Sequence, residues 1–423
     1  MKHRSRGNVP ASATPTRITA ALAAAALALA LAACGRDDAP RAEAGRSRAP
    51  AAQDVPHFDP PVRFAATGRP LLSAATADGP GAGEMVMAGR LAYFQDRAGL
   101  RAVDVTTGDI AWSAPTRAGV TVARRSTRPF LSSSGGRERV IGLFAGELPG
   151  HGTTPPAPAL EVLVADASTG RTLGDDALPL PPSLAGADVS GYEIVGADDQ
   201  TIAIGLSGSG IDAVVVVDPA AHRIRWTRRG TVAVTASGGR VVVIGTVRSA
   251  GIFGGGTYRL QGIDATTNRI RWSTAPVSTH TYEADPAGPA LVALFAGDGG
   301  DGLLDISTGR RRFRFPDQSL RYECAHDGRS VTVCHNSHRM MAFDAATARP
   351  LWELPKDGRT PPTLTAVWHG AVYGTTANGP VVVDARTGHD RETSPGAAPS
   401  LVGPYGAIVE QEDHSLVFQA AAG

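Results

Sequence analysis

Catalytic signatures are what this sequence lacks. It has no Gly-x-Ser-x-Gly elbow, no phosphate-binding loop, no Cys-x-x-Cys and no His-Glu-x-x-His. None of the short motifs that mark a serine hydrolase, a nucleotide-binding enzyme, a dithiol site or a zinc protease is therefore available. Aromatic residues are few at 5% and charged residues at 19%, while Gly reaches 50 and Pro 31. That composition suits many short strands joined by turns better than a helical bundle. Excess charge is lacking as well: Lys+Arg 41 against Asp+Glu 40 leaves +1, and removing Lys2, Arg4, Arg6 and Arg17 leaves 37 bases against 40 acids. No basic patch of the kind that neutralises phosphates shows in that balance, so no nucleic-acid partner is expected.

The apolar stretch Ile18 to Ala33 is uncharged, but its sixteen residues fall short of the ~20 that a membrane-spanning helix needs. It follows four bases and ends in Leu31-Ala32-Ala33-Cys34-Gly35, the charge-then-apolar-then-small order of a signal peptide. The segment resembles a lipobox. The resemblance implies that residues 1–33 are removed and that the thiol of Cys34 carries a diacylglyceryl group, anchoring the mature chain to the extracytoplasmic face of a cell membrane without spanning it. Residues 34–60 are mostly Ala, Arg, Pro and Asp with almost no large apolar side chain, and read as a flexible tether. Residues 61–423 are left for a folded domain.

That domain is built from repeats. Seven segments place an Asp after two apolar or small residues, at Asp104, Asp166, Asp218, Asp264, Asp305, Asp344 and Asp384. Four residues on stand Gly108, Gly170, His222, Asn268, Gly309, Ala348 and Gly388; eight residues on stand Trp112, Gly174, Trp226, Trp272, Phe313, Trp352 and Glu392. Four of the five tryptophans share that phase. The later spacings are close to 40 residues, the length of one four-stranded propeller blade. The longer early spacings are assigned to loops such as Leu148 to Pro158.

Each Asp is positioned to accept hydrogen bonds from backbone N–H groups two residues on, opening an Asx turn. The residue four along then favours positive φ, which suits Gly and Asn; His222 and Ala348 imply turns of another type. The aromatic at the eighth position lies on the returning strand and fills the wedge between blades.

The phase extends beyond both ends of the series. Phe64 to Leu72 matches Asp344 to Trp352, while Ile408 to Gln419 reads as the first hairpin of a blade without its final strand. Pairing the two ends closes a ring and removes the exposed edge. This gives an all-β propeller of eight four-stranded blades, with a seven-bladed ring of loosely packed termini as the alternative.

The Asp-x-x-Thr-Gly-x-x-x-Trp pattern of Asp104 to Trp112 resembles the repeat of the pyrroloquinoline-quinone-like propellers over most of residues 60–420. That superfamily holds quinoprotein dehydrogenases as well as cofactor-free scaffold lipoproteins, among them the propeller subunit of the outer-membrane assembly machine. The resemblance implies the fold and leaves the function divided. A dehydrogenase would need a carboxylate base, bound calcium and often a pair of adjacent cysteines over the quinone, and the chain has no Cys-Cys pair. Asp298-Gly299-Gly300-Asp301-Gly302 is oxygen-rich like a calcium loop, but it falls where the other repeats have a mid-blade turn. His326, His335 and His338 cluster in sequence, yet strand alternation puts His335 and His338 on opposite faces. The reading is a non-enzymatic, monomeric scaffold that holds a protein partner, with no cofactor, no metal and no catalytic residue; a quinone-dependent secreted dehydrogenase is the alternative.

With Cys34 acylated, Cys324 and Cys334 are the remaining cysteines, and outside the cytoplasm thiols are oxidised. A loop centred on Gly328-Arg329-Ser330 sets them opposite each other in a disulfide, whereas a two-residue Asp327-Gly328 turn would misalign them by three positions.

Overall fold

The computed structural model describes residues 55–71, 82–122, 127–134, 136–184, 186–249, 255–297, 300–316 and 320–423. The expected signal peptide, Cys34 and most of the expected tether lie outside them. Among the described residues no helix is long and apolar enough to cross a membrane.

The chain is all-β and forms eight sheets, each an antiparallel meander, in which blades 2 and 4 carry a fifth strand. Blades 1 to 7 occupy residues 86–115, 121–179, 188–229, 231–279, 283–314, 323–354 and 363–392. Blade 8 takes three strands from the C-terminal end, Leu401–Gly403, Gly406–Glu410 and Leu416–Ala420, and its outermost strand, Arg69–Pro70, from the N-terminal end. The closing register pairs Arg69 with Phe418 and Pro70 with Val417, and Phe64 bridges to Ala421. The C-terminal hairpin thus supplies the second and third strands of its blade; Leu401–Gly403 precedes it as the first.

Eight apolar clusters hold the ring, one at each blade boundary. Phe94 and Val103 of blade 1 pack with Ile408, Leu416 and Phe418 of blade 8; Tyr373 and Val382 of blade 7 pack with Val402 and Ala407 on the other side of blade 8. The fold has no single central core because a twisted blade presents one apolar face to each neighbour. Full burial of each large side chain contributes roughly 1.5–3 kcal/mol, so the boundary built from the chain's two ends is as strongly packed as those formed between consecutive blades.

The long early spacings are partly strand. In blade 2 the middle strands Arg137–Leu148 and Ala157–Asp166 run into the stretch assigned to a loop and shorten it to the hairpin connection between them.

Candidate functional site

The repeated Asp sits where the third strand of a blade turns into the fourth. Its Oδ1 accepts from the backbone two or three residues on: from Thr106 N at 2.9 Å for Asp104, Thr169 N at 2.9 Å for Asp166, Ala221 N at 3.2 Å for Asp218 and Thr267 N at 2.9 Å for Asp264. Asp305, Asp344 and Asp384 accept in the same way from Thr308, Thr347 and Thr387. The fourth residue along takes a left-handed conformation throughout, at φ 53° for His222 and 59° for Ala348 as well as at the glycines. Ala348 therefore does not form a different turn; His222 shares the left-handed conformation, but among the described hydrogen bonds the one from the fourth amide to the Asp carbonyl is not made there. Ala348 N donates to Asp344 O at 2.8 Å just as Gly388 N donates to Asp384 O, and the surrounding bonds hold a non-Gly residue where its Cβ costs about 1–2 kcal/mol.

The aromatics at the eighth position lock one blade to the next. The indole N–H of Trp112 donates to Ala167 O at 3.0 Å, Trp226 to Ala265 O at 2.8 Å, Trp272 to Ile306 O at 2.9 Å and Trp352 to Ala385 O at 2.8 Å. Each acceptor directly follows the turn Asp of the next blade. Phe313, with no N–H to give, stacks edge-on against Phe343 at 4.7 Å. Blade 2 has Gly174 in this phase; across that boundary His222 Nδ1 meets Asp176 Oδ1 at 2.7 Å.

An additional residue belongs to this node. The arginine seven residues after the Asp reaches back to its Oδ2 in three consecutive blades: Arg225 to Asp218 at 2.7 Å, Arg271 to Asp264 at 2.8 Å and Arg312 to Asp305 at 2.7 Å. In blade 1 Arg90 takes that role on Asp104. The identical Ile-Arg-Trp triplets at 224–226 and 270–272 carry the signal in sequence. Arg271 and the Thr267 amide hold the Asp264 carboxyl well below the usual carboxylate range. Burial opposes ionisation of Asp305, but hydrogen bonds from Ser307, Arg312 and Thr308 outweigh it and hold the group down at about 2.

A disulfide joins Cys324 to Cys334, which face each other in register with Cα atoms 4.0 Å apart. The turn spans Gly328 to Ser330, and Asp327 Oδ1 accepts from the amides of Arg329, Ser330 and Val331 at 2.8–2.9 Å. His338 lies in the next turn and not on a strand, its N–H donating to Asn336 Oδ1 at 2.9 Å. Asp301 is buried, with Ala296 N donating to it at 2.7 Å, while residues 298 and 299 lie outside the described span. Among the described residues no group of three or more His, Cys, Asp or Glu side chains comes together as a metal site.

The first strands of the blades line a central channel of about 950 Å³, walled mainly by Val86, Phe130, Ile194, Val234, Val367 and Leu401. Three charged side chains face it among the described residues: Arg128, Glu193 and Asp285. The enclosing walls push the Glu193 carboxyl up and the Arg128 guanidinium down. Asp285 is paired with Arg321 at 2.6 Å.

A second buried feature lies between the outer strands of blade 2. Glu161 is fully buried, and its Oε1 accepts from Ala118 N at 3.3 Å. Neighbouring Asp175 accepts from Arg117 N at 2.7 Å. Glu161 Oε2 and Asp175 Oδ1 are both buried without a donor, so one proton shared between them satisfies both. Burial first, then the hydrogen bond and repulsion of Asp175, push Glu161 up to about 7.

The N-terminal strap, Val55 to Pro61, crosses the turns between first and second strands in three blades. Asp59 contacts Arg329 of blade 6 and pairs with His369 Nδ1 of blade 7 at 2.5 Å, and Phe58 N donates to Pro404 O of blade 8 at 2.7 Å. Composition alone had assigned residues 55–60 to the tether.

Residues 159–394 match the family model described as "Outer membrane protein assembly factor BamB". No curated protein matches the chain by sequence. Among solved structures, the computationally designed Ika8 protein is 14% identical with a TM-score of 0.51, covering 84% of this chain and 100% of its own. BamB from Moraxella catarrhalis is 12% identical with a TM-score of 0.41, covering 84% and 98%. A europium-containing methanol dehydrogenase is 13% identical with a TM-score of 0.38, covering 80% and 83%.

Proposed function

The chain belongs to the family of the outer membrane protein assembly factor BamB, and from that premise we propose that it is a non-enzymatic scaffold that holds a protein partner on its closed ring. The observation that carries this reading is the family match, which runs from the third strand of blade 2 through blade 7. We further propose that Cys34 is lipidated and that the ring is held at the extracytoplasmic face of the cell membrane, on the strength of the lipobox-like Leu31 to Gly35.

A quinone of the dehydrogenase branch would have to be held in the channel. Pyrroloquinoline quinone is a planar tricarboxylate, and its calcium takes 6–8 oxygen ligands. Among the described lining residues Arg128 is the one cation, and of the two carboxylates Asp285 is already bound to Arg321. This donor set does not fit the group. The turn aspartates are equally unsuited to act as a base, because their oxygens already accept from backbone amides and arginines.

Crosslinking the anchored protein in its native membrane is expected to yield one reproducible protein partner. Micromolar calorimetric binding of the quinone with calcium, together with dye reduction by alcohols or sugars, would replace the scaffold reading with a dehydrogenase. Intact mass tests the anchor separately: an unmodified Cys34 removes it.

A further inference from the structure

The near-zero charge balance conceals a segregation of charge between the fourth-strand segments of the blades. In the twelve residues that begin at each turn aspartate, blades 3, 4 and 5 hold ten arginines and three carboxylates. The same windows of blades 1, 2, 6 and 7 hold four arginines and ten carboxylates. Part of the arginine excess has local work: Arg225, Arg271 and Arg312 pair with the turn aspartates, and Arg228 binds Asn268 Oδ1 at 2.8 Å. Arg223, Arg269 and Arg310, one beside each Asp turn, are exposed, with no ion pair among the described residues; Arg229 is exposed at the far end of its strand, opposite Ala213. Ile270, beside Arg269, is 46% exposed.

The second observation is the face on which these groups stand. Each blade alternates strand direction, so the turns between first and second strands and the Asp turns between third and fourth lie at the same end of the ring. Bonds such as Ala345 N to Ser330 O and Ile306 N to Ala290 O, both 2.9 Å, join the two kinds of turn. Arg223, Arg269 and Arg310 each stand five residues after the Asp, at that end. The N-terminal strap crosses the same end at blades 6, 7 and 8, with Asp59 and Phe58 fixed to turns there. The chain therefore enters the fold on the face that carries the free arginines.

We propose that this face is turned toward a bilayer and that Arg223, Arg269 and Arg310 bind anionic phospholipid headgroups. Guanidinium forks match phosphate oxygens bidentately, and each basic side chain close to an anionic leaflet favours binding about fivefold. The proposal rests on the membrane-anchored reading only for the nearness of a bilayer, because the arginines act without the lipid on Cys34.

All eight blade boundaries are built within residues 55–423, so that span folds by itself and can be tested without the anchor. It is expected to co-sediment with phosphatidylglycerol-containing vesicles at low salt, to be released by high salt, and to ignore phosphatidylcholine alone. The triple variant Arg223→Gln/Arg269→Gln/Arg310→Gln should bind the anionic vesicles at least tenfold more weakly with an unchanged melting temperature, whereas Arg171→Gln/Arg349→Gln, at the same turn position in blades 2 and 6, should bind nearly as wild type. Equal binding to both vesicle types, or a triple variant that binds as wild type, would overturn the proposal. So would binding to polyglutamate or single-stranded DNA without binding to vesicles, which would make the sector a protein or nucleic-acid surface. An unmodified Cys34 with anionic-vesicle binding intact would remove the anchor and leave the lipid-binding face standing.

Discussion

The indole N–H of Trp272 donates to the carbonyl of Ile306 across a blade boundary, and the Cα of Gly309 lies directly against the same ring, where a Cβ would stand 2.4 Å from Trp272 Cε3. Glycine is needed here twice over, for its φ of +70° and for the closeness of the tryptophan. Gly170 against Trp112 and Gly388 against Trp352 repeat the arrangement. Where the aromatic is Phe313, the facing residue is Ala348, and a methyl is accommodated in the shared cluster.

Gly309→Ala is accordingly expected to destabilise the ring by about 3 kcal/mol or more, as overpacking adds to the left-handed strain. Gly89→Ala, also left-handed at φ 56° but with nothing within 4 Å, should cost only about 1 kcal/mol. Trp272→Ala should cost about 3–5 kcal/mol through cavity formation and loss of its hydrogen bond. Urea melts of the three variants check the order, and equal losses at Gly309 and Gly89 would dismiss the packing account.

Ring closure makes the two chain ends energetically interdependent. Removing Leu416 to Gly423 deletes the partner of Arg69–Pro70 and exposes Leu71, Phe94 and Ile408. The expected result is a lower melting temperature for the whole domain with one cooperative transition at most, because blades 7 and 1 both lose a neighbour. A truncated chain that melts at the wild-type temperature would mean that blade 8 contributes nothing to stability.

Much of this architecture was legible because one physical solution is repeated. Asp, a left-handed residue and an aromatic recur in fixed phase, since every blade turns and packs in the same way. Ala348 was misread because intrinsic preference favours Gly or Asn at positive φ, while a turn already bonded at Asp344 O and Asp344 Oδ1 holds Ala348 there regardless. The channel was not read from the sequence: its walls come from the first strands, where the recurring Tyr-Glu of 192–193, 282–283 and 322–323 lies outside the Asp phase, and Arg128, Glu193 and Asp285 belong to three different blades. The basic sector was hidden by summation. Ten arginines in three windows cancel against carboxylates elsewhere in the chain, and only the alternation of strand direction shows that Arg223, Arg269 and Arg310 among them stand at one end of the ring.

The Cys324–Cys334 bond closes a short loop between the first two strands of blade 6. Its removal, by reduction or by Cys324→Ala/Cys334→Ala, is expected to cost about 2–3 kcal/mol, most of it by freeing the unfolded chain. Non-reduced, denatured protein of residues 55–423 should show no free thiol by reagent titration. Two thiols per molecule would contradict the bond.

The pH dependence of stability should carry two opposed limbs. Asp104, Asp166, Asp218, Asp264, Asp305 and Asp344 are held below their ordinary values, with Asp305 at about 2. Their stabilisation is complete above the unfolded carboxylate range near 4 and is lost as pH falls through the folded values, so acid weakens these six blade turns together. Glu161 behaves in the opposite sense. Its folded value of about 7 lies above the 4.5 of the free group, so the native state binds the extra proton between these limits, and stability falls as pH rises from about 4.5 to 7. Above that window the Glu161–Asp175 pair confronts two buried negative charges beneath the segment that links blades 1 and 2. Glu161→Gln keeps the acceptor for Ala118 N, offers an N–H to Asp175 Oδ1 and cannot ionise. The variant should therefore match wild type near pH 5, exceed it by roughly 2–3 kcal/mol at pH 8, and lack the part of the decline between them that Glu161 causes. Denaturant melts of the two proteins across this range measure the difference directly; parallel profiles would show that Glu161 does not titrate in the folded ring.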